Sequence, residues 1–138
     1  MSGQKMELVR QPRGSGNCGQ CVVAMLAGRS LAEVLRAVED GCSPMEKMQA
    51  AAKAFGFSFH YEPVDLVTHA PPPTSGAILV EMQTHWGPVF KHWVAWDGTK
   101  VLDPKFGIRG TVKRKQNEDV LSAKFYQFIE QVAHAPEK

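Results

Sequence analysis

The stretch Asn17–Gly28, "NCGQCVVAMLAG", decides the fold of this 138-residue chain, because a polar, glycine-rich segment becomes an apolar run there. From Cys18 to Ala27 nearly every helical face is apolar, and Gly28 supplies a helix stop. The pattern predicts a short helix that is buried all round and has Cys18 in its first turn. Two cysteines at this place, Cys18 and Cys21, are candidates for a metal clamp, a redox pair, or one nucleophile with an unrelated neighbour.

Helical signals follow this first helix. Ser30 and Glu33 have capping-box spacing before a helix that we expect to end at Gly41. Residues 43–56, "SPMEKMQAAAKAFG", repeat the same device. Residues 119–133, "DVLSAKFYQFIEQVA", predict a further helix at the end of the chain.

The middle of the chain predicts an antiparallel sheet. Short strand-like runs occupy residues 57–61, 77–82 and 91–104. The last run is a hairpin around Asp97-Gly98, and Pro71–Pro73 lie between strands because proline cannot pair inside a sheet. Helices followed by an antiparallel sheet are typical of an α+β fold, here expected as a single domain over residues 1–138.

Composition and charge exclude several classes of protein. A net charge of +2 is far from that of a dedicated nucleic-acid binder, and we interpret the basic cluster Val112–Lys115 as solvated surface. No apolar stretch approaches the ~20 residues of a membrane span or resembles a signal segment. The small, odd set of cysteines favours a reducing compartment. We therefore expect a cytoplasmic protein without nucleic-acid or membrane partners, although an effector exported without a cleaved signal would look the same.

The hairpin predicts a histidine–carboxylate pair. A two-residue Asp97-Gly98 loop would set a register in which His92 directly faces Asp103. A carboxylate in that position fixes the imidazole tautomer and stabilises the imidazolium. With Cys18 at a helix N-terminus, which lowers the pKa of a thiol, the chain holds the parts that a thiol nucleophile needs for acyl transfer.

The order of these motifs resembles the papain-like fold. The pattern runs Gln11, Asn17-Cys18-Gly19-x-x-Val22, His92-Trp93-Val94 and Val101-Leu102-Asp103-Pro104. It is most similar to the compact peptidases that remove double-glycine leaders from bacteriocin precursors, and the similarity covers residues 11 to about 107.

The resemblance implies a role for each matched residue. Cys18 would be the nucleophile, His92 the base and then the acid, and Asp103 the residue that orients His92. Gln11 would donate its side-chain amide to the oxyanion beside the Cys18 N–H. The spacing from Gln11 to Cys18 is one residue longer than is usual in this group, and Asn17 stands where the group commonly has Asp but would still cap the helix.

These assignments predict a cysteine peptidase that hydrolyses a peptide or isopeptide bond through a thioester, without a cofactor or metal. A glutamine deamidase or transglutaminase with the same triad, and a non-catalytic peptide-binding module, are alternatives. A thioredoxin-type dithiol is disfavoured because no apolar strand precedes the motif, and a zinc site is disfavoured because Cys42 lacks a paired partner. We expect Cys21 and Cys42 to be structural, and Trp86 to contact substrate at a cleft lip.

Overall fold

Among the described residues, three helices lie in the first half of the chain. The computed structural model describes residues 6–12, 16–38, 45–60, 62–84, 89–109 and 118–130. The helices are α1 (Cys18–Ala27), α2 (Leu31–Ala37) and α3 (Met45–Ala54). α1 has its predicted bounds and ends at Gly28, whose φ of 69° is the left-handed conformation that glycine adopts without strain.

The helix boundaries confirm most of the capping signals. Ser30 accepts from the Glu33 N–H at 3.1 Å while Glu33 accepts from the Ser30 N–H at 2.9 Å, so the capping box is present. α2 is shorter than expected, because Val38 is already extended. α3 ends before Gly56 as predicted, and the predicted cap at Ser43 lies outside the described residues.

Seven strands form one antiparallel sheet within the described residues, which confirms the α+β class. They are β1 (Phe57–Phe59), β2 (Val64–Asp65), β3 (Gly76–Thr84), β4 (Val89–Trp96), β5 (Val101–Asp103), β6 (Gly107–Arg109) and β7 (Glu118–Glu130). The order is β1-β7-β3-β4-β5-β6, and β2 also pairs with β7.

The predicted C-terminal helix is wrong, because residues 118–130 form β7 in the interior of the sheet. A β-bulge explains the misleading pattern. Glu81 pairs with Ser122 and Met82 pairs with Val120, so the ladder skips Leu121. On β7, Val120, Ala123 and Phe125 therefore belong to one core, and the three-residue step from Val120 to Ala123 imitates a helical spacing.

The sheet buries apolar side chains on both faces. α1 packs on one face, where Cys21, Val22 and Trp93 belong to the same core as Leu102. The opposite face carries a second core that includes Val94 and Trp96, and the Trp96 indole N–H donates to the Pro72 carbonyl at 2.7 Å. Successive residues of β4 thus serve opposite cores, as period-two alternation requires. Trp93 and Trp96 are both buried.

The hairpin between β4 and β5 exists, but its predicted register is wrong. Trp96 pairs with Val101 and Ala95 with Leu102, so the loop has four residues rather than two. Asp97 is the cause, because its Oδ1 accepts the N–H groups of Thr99 and Lys100 at 2.8 Å each and so closes a wider turn.

Within the described residues, no single helix is long and apolar enough to cross a membrane. α1 and α2 taken together are long and apolar enough, but their axes bend by 110° at the break between them.

Candidate active site

Cys18 is the first residue of α1 and is half-buried. The N–H groups of a first helical turn have no acceptor within the helix. The sequence predicted that the Asn17 side chain would cap this turn, and that prediction is wrong: Asn17 is the N-cap residue, but its side chain makes no capping bond. No acidic residue occupies the first turn of α1 either. The positive end of the helix dipole is therefore directed at the Cys18 thiol without a competing carboxylate.

The neighbouring strand brings a backbone donor to Cys18. β5 pairs with β4 at Ala95 and Trp96, and the backbone of Trp93 lies beyond that pairing. The Trp93 N–H donates a hydrogen bond to the Cys18 sulfur, and so does the Gly19 N–H. The start of α1 therefore packs against β4 next to the residues where β4 no longer pairs with β5.

His92 joins Cys18 to Asp103. The His92 Nε2–H donates to Asp103 Oδ1 at 2.7 Å, and the imidazole also hydrogen-bonds to Cys18. Since Nε2 is engaged with Asp103, Nδ1 is the ring nitrogen left for the thiol. His92 is 6% exposed and Asp103 is fully buried, so this hydrogen-bonded chain is shielded from water.

A tight turn holds the Asp103 carboxylate in place. Asp103 Oδ1 also accepts the Lys105 N–H at 2.8 Å and the Phe106 N–H at 3.1 Å. Asp103 pairs with Gly107, whose φ of 94° closes a hairpin from β5 to β6. Two backbone N–H groups of its own turn therefore hold the carboxylate in place, in addition to its bond with His92.

The environment favours the thiolate form of Cys18. Burial alone would raise its pKa, but hydrogen bonds from His92 and from the Trp93 N–H, together with the charge of His92, lower the pKa below its usual value. Cys21 differs, because burial and the charge of Cys18 raise its pKa to about 12. Of these two cysteines, Cys18 therefore has the greater thiolate fraction at neutral pH.

The charges of His92 and Asp103 complement that thiolate. Burial lowers the pKa of His92, but the hydrogen bonds and charges of Asp103 and Cys18 outweigh burial and raise it to about 9. The pKa of Asp103 would rise on burial, but the bond and charge of His92 and the N–H donors of the turn lower it. At neutral pH the arrangement favours a thiolate, an imidazolium and a carboxylate in series.

Gln11 lies close to the acidic end of this chain. Its backbone N–H donates to the carbonyl of Pro104, the residue after Asp103, at 2.9 Å, and its side-chain Oε1 is buried. Arg10, one residue earlier, has its Nη1 against Gly107. The segment that carries Gln11 therefore packs against the β5–β6 turn beside Asp103.

The remaining site predictions have mixed outcomes. Cys21 is a fully buried core residue, as expected. Trp86, Cys42 and the basic cluster Val112–Lys115 lie outside the described residues. In the part of the chain that the structure describes, no group of three or more His, Cys, Asp or Glu side chains could hold a metal ion.

Sequence reasoning missed two features that build the site. One is the Trp93 N–H donor, which follows from the early end of the β4–β5 ladder and leaves no trace in composition. The other is the β5–β6 hairpin. Its signal was present, since Asp103-Pro104 followed by Gly107 is a typical turn pattern.

A second feature of the surface is separate from these residues. An open groove of about 1220 Å³ lies at the C-terminal end of α1, lined among others by Met25, Leu26, Val9 and Phe57. Met25 and Leu26 follow Cys18 by seven and eight residues, which places this side of the groove ~10–12 Å from Cys18 along α1. No family model, no curated protein and no solved structure matches the chain.

Proposed function

We propose that this chain is a papain-like cysteine hydrolase that cleaves a peptide or isopeptide bond through a thioester on Cys18. The observation that supports this most is the hydrogen-bonded series of Cys18, His92 and Asp103. Cys18 also begins a helix that the N-cap side chain does not cap. A histidine paired with a buried turn carboxylate is common in stable folds. A thiol with a lowered pKa on the other side of that histidine is what nucleophilic catalysis requires.

Each residue has a defined part in the proposed reaction. The Cys18 thiolate attacks the carbonyl carbon, and the carbonyl π electrons move to oxygen. The N–H of Cys18 and the Gln11 amide stabilise that oxyanion. The His92 imidazolium gives its proton to the leaving nitrogen, the C–N bond breaks, and the acyl group remains on Cys18 as a thioester.

The second half of the reaction returns the enzyme to its starting state. Neutral His92 takes a proton from water, and the resulting hydroxide attacks the thioester carbon. The C–S bond then breaks, which releases the carboxylic acid and restores the thiolate. Asp103 holds the imidazole in one orientation and stabilises its charged form in both halves.

The test measures covalent acylation and the products that follow it. Purified protein is incubated with peptide, isopeptide and glutamine-containing acyl donors, and its intact mass is recorded with rapid acid quenching. The expected result is an acyl adduct on the peptide that contains Cys18, which is absent in Cys18→Ala and retained in Cys21→Ala. Failure of every donor to acylate Cys18 would contradict the proposal and favour a non-catalytic peptide-binding module.

The products separate hydrolysis from the other chemistry that the same triad supports. Cleavage of a backbone or isopeptide bond gives a new amine on the leaving fragment. Deamidation or transamidation of a glutamine side chain gives ammonia and leaves the backbone intact. Ammonia without cleaved fragments would assign the chain to the deamidase or transglutaminase class.

A further inference from the structure

Cys21 is a nucleophilic side chain that the proposed reaction does not use. It lies one turn after Cys18 on α1 and is fully buried in the core on the helix side of the sheet. Residues at this spacing are neighbours on a helix, with about 5–6 Å between Cβ atoms. The charge of Cys18 also contributes to the raised pKa of Cys21.

A bond between the two sulfur atoms requires a small movement. A disulfide needs its Cβ atoms roughly 3.5–4.5 Å apart, so the first turn of α1 must close by ~1–2 Å. Cys21 is anchored there, because its N–H donates to the Asn17 carbonyl at 3.0 Å. Cys18 is at the helix start, where its own N–H has no acceptor within the helix and the Asn17 side chain makes no cap. Cys18 can therefore approach Cys21 by giving up its hydrogen bonds to His92 and to the Trp93 N–H, while Cys21 keeps its place in the core.

We propose that Cys18 and Cys21 form a reversible disulfide when a hydroperoxide oxidises Cys18, and that this disulfide switches the site off and protects it from irreversible oxidation. The two cysteines differ in their access to an oxidant, as this proposal requires. Cys18 is half-buried and held near His92, so it is the sulfur that an oxidant reaches. Cys21 is enclosed by apolar side chains and stays a thiol until its neighbour has reacted.

The disulfide forms in two steps. The Cys18 thiolate attacks one oxygen of the hydroperoxide, the O–O bond breaks, and Cys18 becomes a sulfenic acid while the alkoxide or hydroxide leaves. The Cys21 sulfur then attacks the Cys18 sulfur, its proton goes to the departing oxygen, and water leaves as the S–S bond forms. A dithiol supplies the two electrons and two protons that restore both thiols.

The test is a mass measurement on the full chain, without any acyl substrate. The protein is treated with hydrogen peroxide, remaining thiols are blocked with iodoacetamide, and trypsin then releases residues 14–29, which hold Cys18 and Cys21 but not Cys42. We expect this peptide to be two hydrogens lighter and unlabelled, and to take two labels after treatment with dithiothreitol. Because no hydrolysis is measured, the result is independent of the proposed function.

Two variants decide the outcome. In Cys21→Ser, Cys18 itself is expected to gain two or three oxygen atoms, which fragmentation of the peptide distinguishes from a sulfoxide on Met25, and recovery of the Cys18 thiol should fall from nearly complete to nearly none. Cys42→Ser should still form the disulfide. Thermal melting of each variant shows that it folds, and Cys21→Ala is the second variant if the serine hydroxyl is not tolerated. Equal oxygen uptake in wild type and in the Cys21 variants, or loss of the disulfide in Cys42→Ser, would overturn the proposal.

Discussion

The Nε2–H of His92 donates to Asp103 at 2.7 Å although the two residues are not directly opposed in the β4–β5 hairpin. Extending the register of Ala95 with Leu102 by one step sets Asp103 across from Val94, so that His92 is its diagonal neighbour. The observed register differs from the predicted one by two residues, and a shift of two residues keeps every side chain on the same face of its strand. Diagonal neighbours remain within reach of long side chains, so the pair forms in either register.

We predict that Asp103→Asn slows the reaction of Cys18 with iodoacetamide at pH 6 and lowers turnover by orders of magnitude. The carboxylate helps to raise the pKa of His92, and without its charge the imidazolium that supports the thiolate is weakened. The second-order rate of alkylation at Cys18, read from the tryptic peptide, measures the first effect without knowledge of the substrate.

Asp97→Asn is the matched control for that variant. Asp97 opens its loop as Asp103 does, with Oδ1 accepting the N–H groups two and three residues later, but it pairs with Lys100 rather than with His92. Its pKa, raised by burial and lowered more strongly by Lys100, is about 2. The change should disturb the turn and leave the alkylation rate at Cys18 near that of wild type. Equal losses in the two variants would contradict the assigned role of Asp103.

We predict that Gln11→Ala lowers the rate of Cys18 acylation by an activated ester by ~10²- to 10³-fold, the usual scale for one oxyanion donor. The rate of alkylation by iodoacetamide should change little, because alkylation forms no oxyanion. Comparison of the two rates therefore isolates the donor role. If both rates fall together, Gln11 supports the fold of the segment docked on Pro104 and does not contact the oxyanion.

The pH dependence of labelling provides a further prediction. Because the pKa of Cys18 is lowered, its thiolate is present at mildly acidic pH, and iodoacetamide should label Cys18 well before Cys21. His92→Gln should move the midpoint of Cys18 labelling up towards ~8.5, the value of an ordinary thiol. Labelling of Cys21 at least as fast as Cys18, or an unchanged midpoint in His92→Gln, would remove Cys18 as the nucleophile.

We predict that turnover falls as the pH rises on the alkaline side, whereas labelling of Cys18 does not. The reaction needs protonated His92 to release the leaving nitrogen, and the pKa of His92 is about 9. The rate of acylation by an amide donor should therefore decline as the pH rises through about 9, while alkylation by iodoacetamide does not decline. A decline shared by both reactions would indicate unfolding instead.

The sequence predicted that Cys18, His92 and Asp103 lie together, as they do in the structure, but it misassigned part of the sheet, and the catalytic roles of these residues stay a prediction. Cys18, His92 and Asp103 could be found because each depends on a local signal: a helix start, a strand face and an acid at a turn. The register could not, since the choice between a two-residue and a four-residue loop depends on whether the Asp97 side chain bonds to the backbone ahead of it. The papain-like fold itself stays a prediction, whereas the α+β class is confirmed.

The largest error concerned β7, and it leads to a test of the strand. Leu121 and Phe125 would share one face of a helix, so a helical segment predicts similar losses when either is shortened. In the structure, Leu121 sits at the bulge and is 47% exposed, whereas Phe125 is 1% exposed in the core of the sheet. We expect Phe125→Ala to cost ~3–5 kcal/mol in free energy of unfolding and Leu121→Ala about 0.5 kcal/mol or less. Urea denaturation of both variants measures this difference, and comparable losses would contradict the bulged strand.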